Sequence, residues 1–122
     1  MTELIGRAFG DYGERAAARF IRRNGGRVVA RNWRCKRGEV DLIVIEGDTL
    51  AFVEVKTRES ADLVRPVEYV NRTKRRKLEV LAEEFCRLRR IEPEAVRFDV
   101  VEVIGREHPQ INWMRAVWIV GE

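Results

Sequence analysis

Long apolar runs are missing from this chain. No stretch approaches the ~20 apolar residues needed to cross a bilayer, so the sequence predicts neither a membrane span nor a membrane partner. Sulfur and imidazole are scarce as well. Cys35 and Cys86 stand far apart, which excludes the close spacing of a zinc site and the dense bridging of a small secreted domain. They read as reduced, half-buried thiols. His108, between Glu107 and Pro109, is the sole histidine, so any histidine-based site would rest on that one predicted loop residue. The opening MTELIGRAFGDYGER lacks the central apolar run of a secretory signal, and the expected compartment is the cytoplasm. Internal repeats, low-complexity tracts and interdomain linkers are also missing.

What is present is charge. Charged residues make up 36% of the 122 residues, beside 45% hydrophobic residues, enough for one domain (residues 1–122) with a real core and a strongly ionic surface. The net charge is only +4, but residues 1–37 hold ten Lys or Arg against three acids, and residues 65–77 hold six against one. Two basic blocks around an acidic centre suit a polyanion, with a metal where the chemistry occurs. The plainer alternative is a basic protein with solvated helix faces.

The acidic centre is GEVDLIVIEGDTLAFVEVKTR, residues 38–58. Two apolar, strand-like runs flank a Gly47-Asp48 turn, which predicts a hairpin with Glu46 facing Thr49. That register sets Asp41 opposite Glu54 and Glu39 opposite Lys56. It puts Ile43 and Ile45 on one face, and Val40, Leu42 and Val44 on the other. Like charges directly opposite destabilise a ladder; two carboxylates ~5 Å apart repel by roughly 3 kcal/mol at an effective dielectric of 20. A divalent cation between them removes the repulsion, because hard cations take carboxylate oxygens. Asp41 and Glu54 are therefore candidate metal ligands, with Lys56 beside them. The alternative is a solvated strand end where Lys56 neutralises Glu39 or Glu54.

The remaining elements follow from periodicity. Residues 3–24 read as a helix with Ile5, Phe9, Ala16, Ala17, Phe20 and Ile21 on its apolar stripe, ended by Gly25-Gly26. Gly6, Gly10 and Gly13 permit close backbone approach, to the sheet or to a ligand. Glu14 sits at the edge of the stripe with no Lys or Arg three or four positions away. It is either a third carboxylate for the hairpin site or a solvated surface group. Residues 27–35 predict a strand, and 57–65 a polar loop placed to act as a flap. Pro66 opens a predicted helix running to about Arg90, with Val70, Leu78, Leu81, Ala82, Phe85 and Leu88 apolar and Lys74 on the same stripe. Lys74 is placed to snorkel toward a phosphate, though a snorkelling lysine without function fits equally. Residues 96–104 predict a strand; INWMRAVWIV fits a strand or a short helix, with Trp113 and Trp118 as packing residues. The order predicts an α/β or α+β sandwich, a mixed β-sheet with helices on its faces, and a parallel crossover through the second helix.

GDYGERAAARFIRRNG, ARNWRCKRGEVDLIVIEGDTLAFVEVKTR, the Pro66–Leu78 segment with Lys74, and RFDVVEV together resemble the YraN-like family of the restriction-endonuclease-like superfamily, whose relatives include archaeal Holliday-junction resolvases. The resemblance covers most of residues 8–104. It implies a restriction-endonuclease-like core and a catalytic set of Glu14, Asp41, Glu54 and Lys56. Leu63-Val64-Arg65 departs from a Phe-Gly pair common in relatives, which bears on loop shape.

The function expected on this basis is nucleic-acid binding with metal-dependent phosphodiester hydrolysis, in branched or flapped substrates. Asp41, Glu54 and the Val55 carbonyl would hold Mg²⁺ or Mn²⁺, and Glu14 a second cation or its water. Lys56 would orient the attacking water or stabilise charge on phosphorus. Arg15, Arg19, Arg34, Lys36, Arg37, Lys74, Arg75 and Lys77 would contact phosphates, which positions a backbone without reading sequence. DNA is favoured over RNA as partner, and a symmetric junction would call for a homodimer. The competing expectation is a binding module on the same surface that does not turn over.

Overall fold

The structure is a computed structural model that describes residues 2–60 and 71–121, with side chains from residue 10 onward. In chain order it comprises α1 (Thr2–Arg23), β1 (Arg27–Cys35), β2 (Gly38–Glu46), β3 (Thr49–Arg58), α2 (Arg72–Arg89), β4 (Ala95–Ile104) and β5 (Gln110–Ile119). The strands form one mixed sheet in the order β1-β2-β3-β4-β5. Neighbours are antiparallel except β3 and β4, which run parallel. Parallel neighbours cannot be joined by a tight turn; the connection here carries α2.

Both faces of the hairpin strands are apolar, so both must be covered. Ala16, Ala17, Ala18 and Ile21 of α1 pack on Leu42, Val44, Val53 and Val101. Leu78, Leu81, Ala82 and Phe85 of α2 pack on Ile43, Leu50, Phe52 and Val100. Each fully buried Val, Leu, Ile or Phe contributes about 1.5–3 kcal/mol. The alanines of α1 let its backbone lie close to the sheet, and Gly13 takes this to the limit: a Cβ there would overlap the Thr57 hydroxyl of β3. Gly25, at φ +96°, turns the chain out of α1, and the Gly26 N–H then donates to the Ile21 carbonyl at 2.9 Å.

α2 starts at Arg72 because the Asn71 side chain accepts the Lys74 N–H at 2.9 Å, an N-cap that fixes the first turn. The start expected at Pro66 lies outside the described residues, as do residues 61–65 of the expected flap, Leu63-Val64-Arg65 among them, and the side chains of Ile5, Phe9 and Val70. Thr57 and Arg58, assigned to the loop from sequence, extend β3 instead, because both continue the parallel ladder to Val103 and Ile104. Leu88, expected on the apolar stripe, is 55% exposed in the last turn of α2.

The tail is a strand. The pairs Val101↔Trp113 and Phe98↔Trp118 bring its two tryptophans to opposite faces, where both are buried. Between them runs a polar network. Asp99 is 0% exposed. It accepts hydrogen bonds from Arg97 Nε (2.9 Å), Trp113 Nε1 (2.9 Å) and the Ala116 N–H (2.9 Å). Arg97 also reaches Glu46 at 2.7 Å, and Arg115 grips both Glu46 oxygens at 2.8 Å. A buried carboxylate is tolerated when satisfied in this way. Neither described helix is long and apolar enough to cross a membrane.

Candidate active site

The hairpin pairs from Glu46↔Thr49 to Leu42↔Val53, the register expected from its turn. The ladder ends there, one step before Asp41 would face Glu54. Direct opposition of these two carboxylates is therefore corrected: the strands part where it would occur. The physical reason lies in the Val55 N–H, which donates to Asp41 Oδ2 at 2.8 Å instead of to a strand carbonyl. Val40 also leaves its expected face. It packs with Ile43, Phe52 and Phe85 on the α2 side, whereas alternation would put it with Leu42 and Val44. The neighbouring strand shows why. Asn32 has φ +49°, a left-handed conformation that asparagine tolerates better than most residues. Ala30 and Trp33, three residues apart, both pack on the α2 side, and Arg31 and Trp33 pair with Leu42 and Val40, so β1 and β2 change phase at the same level; the separate bulge between Val28 and Ala30 lies further along, beside Val44 and Ile43.

This break puts Asp41 between two clefts. On the α2 side, a cleft of about 470 Å³ is lined by Asp41 and Glu54 with Asn71, Thr73, Lys74 and Lys77, over Val40, Val53, Leu78, Leu81 and Phe98. On the α1 side, a second of about 620 Å³ is lined by Glu14, Asp11, Asn32, Arg34 and Asp41. Glu39, Val40 and Asp41 belong to both.

The electrostatics are those of crowded acids. Burial pushes the Asp41 pKa above the ordinary aspartate value, and the Glu54 and Glu39 charges add to the rise. The Val55 N–H and Lys56 act against it. Glu14 is raised too, first by burial and then by Asp41 and Asp11, while a hydrogen bond from Asn32 opposes the rise. Glu14 Oε2 is buried with no hydrogen-bond partner among the described residues. Glu54 is flanked by ammonium groups: Lys74 Nζ lies 2.8 Å from Oε2, and Lys56 Nζ 3.7 Å from Oε1. Among the described residues, no three His, Cys, Asp or Glu side chains converge closely enough to cage a cation. Asp41 with Glu54 on one side, and Asp41 with Glu14 on the other, are the pairs the fold supplies.

The basic residues divide. Lys74 and Lys77 face the α2-side cleft, and Lys77 packs on Gly38, where a Cβ would come within 3.0 Å of its Cε. Arg34 lines the α1-side cleft, paired with Glu39 at 3.1 Å. Arg15, Arg19, Lys36 and Arg37 are exposed and line neither cleft. Arg75 turns away, its guanidinium 5.4 Å from the Trp118 ring on β5. Asn32, Asn71 and Thr73 complete the clefts without having been singled out from sequence. An Asn five residues after Pro66 is a recognisable cap signal; nothing local marks Asn32.

Residues 13–103 match the family model described as "Uncharacterised protein family UPF0102", a span that holds Glu14, Asp41, Glu54, Lys56 and Lys74. The chain belongs to the UPF0102 family. It is 43% identical over 117 residues to a UPF0102 protein of Paenarthrobacter aurescens, covering 94% of this chain and 93% of the relative. A UPF0102 protein of Solibacter usitatus is 44% identical over 111 residues, covering 89% and 84%. One of Rhodococcus opacus is 46% identical over 110 residues, covering 88% and 93%. Both clefts of this UPF0102 chain draw most of their walls from the matched span, with Gly10 and Asp11 of α1 just before it.

Proposed function

We propose that this UPF0102 protein is a metal-dependent nuclease that hydrolyses phosphodiester bonds in nucleic acid, DNA before RNA, in branched or flapped structures. The observation that carries the reading is the parted hairpin: Asp41 and Glu54 line one cleft with lysines at 2.8 and 3.7 Å from Glu54. Glu14 Oε2, beside Asp41 and without a hydrogen-bond partner among the described residues, is the kind of oxygen that a hard cation, or water ordered by one, would satisfy. The donors are all oxygen, which suits Mg²⁺ or Mn²⁺. Asp41, Glu54 and the Val55 carbonyl would hold the ion. When bound, it would supply Lewis-acid activation at the scissile phosphate.

The chain's own groups would do the rest. Lys74 and Lys77 would seat the backbone on the α2 side. Lys56 would hold a non-bridging oxygen and stabilise charge as it grows on phosphorus. Glu14 would orient the attacking water from the α1 side. Hydrolysis joins the water oxygen to phosphorus and breaks one phosphorus–ester bond; the departing sugar oxygen takes up a proton. The mixed sheet, with its hairpin and parallel crossover, supports a restriction-endonuclease-like core for the same site. A cytoplasmic setting belongs to this reading.

One observation favours a second reading, a binding module without turnover: Glu54 is already neutralised by lysine. Labelled branched, flapped, single-stranded and duplex substrates in Mg²⁺ or Mn²⁺ decide between them. Cleavage by the wild type that Asp41→Asn abolishes and Lys56→Met strongly slows supports the nuclease. Salt-sensitive binding that survives EDTA, with every substrate left whole, supports the module.

A further inference from the structure

Both oxygens of Glu54 have an ammonium group beside them, and the two lysines are held differently. Lys56 is two residues along the same strand. Lys74 comes from across the cleft, in the first turn of α2, and makes the shorter contact at 2.8 Å. Its backbone N–H is tied to the Asn71 cap, so any movement of its charge is a side-chain movement. Its Nζ also lies 5.5 Å from the centre of the Phe98 ring. The same cleft holds Lys77, Thr73 and Asn71, groups that suit a phosphodiester. A divalent ion placed at Glu54 would meet the Lys74 charge at close range, in a half-buried site where repulsion is poorly screened.

We infer that Lys74 acts as an exchangeable counter-charge that links the loading of the cation to the arrival of the polynucleotide. In the free protein Lys74 neutralises Glu54 and opposes the ion. An incoming phosphodiester draws the ammonium off Glu54 and frees a carboxylate oxygen for the cation. The two ligands therefore bind with positive coupling, and the coupling is reciprocal. Lys74 is on this account a positioning residue, acting through Glu54. The inference rests on the metal-dependent reading above and extends it to the order in which the site fills.

Calorimetric titration of the full chain with Mn²⁺, alone and with a cleavage-resistant phosphorothioate flap DNA, tests it without relying on turnover. The wild type is expected to bind Mn²⁺ weakly alone and roughly 5–150-fold more tightly with the DNA. Lys74→Met keeps an apolar stem near Phe98 while removing the charge. It is expected to bind Mn²⁺ severalfold more tightly than wild type without DNA, and to lose most of the DNA-dependent gain. Lys74→Gln repeats the test should the Met variant melt early. Mn²⁺ affinity unchanged or weakened in a folded Lys74 variant overturns the inference and leaves the metal site intact, provided Asp41→Asn abolishes Mn²⁺ binding. No Mn²⁺ binding by the wild type, with or without DNA, overturns both.

Discussion

Asp41 holds its place through the Val55 N–H and is unfavourable in nearly every other respect, being half-buried and faced by Glu54 and Glu39. A group placed at such a cost is characteristic of function traded against stability. Asn at this position keeps an oxygen for the Val55 N–H and removes the charge. Asp41→Asn is therefore expected to stabilise the metal-free protein by about 0.5–2 kcal/mol at neutral pH, while cleavage disappears. Thermal melts with EDTA and with Mn²⁺ check both halves: Mn²⁺ should raise the wild-type melting temperature and leave the variant unmoved. A variant that melts below wild type in EDTA would mean that the carboxylate charge itself is stabilising. Lys56→Met is expected to lower the cleavage rate by about 10²–10³-fold, the usual effect of removing one group that stabilises a transition-state charge. At this scale Glu14, Asp41, Glu54 and Lys56 stood out in the sequence because charge in or beside an apolar run is conspicuous. Asn32 was not legible, since its role depends on a backbone twist that no neighbour in sequence announces.

The strands that frame the site behave as units. β2 and β3 were legible down to register because the Gly47-Asp48 turn and alternating apolar residues specify the same pairing. The pattern failed at Val40, where two strands change phase together; alternation is a rule about one strand, and the change is a property of the pair. β4 and β5 are tied by the network around Asp99, where Arg97 supplies the counter-charge. Arg97→Ala strands a fully buried carboxylate and is expected to cost about 3–5 kcal/mol, the usual effect of breaking a buried pair on one side. Denaturant unfolding measures this; a loss below about 1 kcal/mol would show that Trp113 and the Ala116 N–H suffice. Glu46, in the same network, has its pKa lowered from the ordinary glutamate value of 4.5 to about 2, chiefly by its hydrogen bond to Arg115. A depressed carboxylate stabilises the fold above its unfolded pKa and loses that contribution as pH falls through the folded value. The advantage of wild type over Glu46→Gln should thus be full above pH 4.5 and fade toward pH 2. Melts across that interval would contradict it if the gap stayed constant.

For the molecule as a whole, a net charge of +4 understates the field. Lys74, Lys77 and Arg34 stand at the clefts, with Arg15, Arg19, Lys36 and Arg37 exposed beyond them. Nucleic-acid affinity should fall linearly with the logarithm of salt, by about 0.9 in slope for each duplex phosphate contacted. Lys77→Ala is expected to flatten that slope by about one contact, whereas Arg75→Ala, turned toward Trp118, should leave it unchanged. Equal slopes for the two variants would place the polynucleotide elsewhere. The sequence by itself determined what local chemistry can write: the order of the elements, the hairpin register, the apolar stripes, and which acids and lysines stand where a neutral residue would be expected. Tertiary structure alone decided how those groups meet. Lys74 and Glu54 lie 20 positions apart and touch only because α2 crosses back over the sheet. Glu14 and Asp41 share a cleft only because small residues bring α1 close to the sheet. Such contacts depend on the packing of whole faces, and no short stretch of chain encodes that.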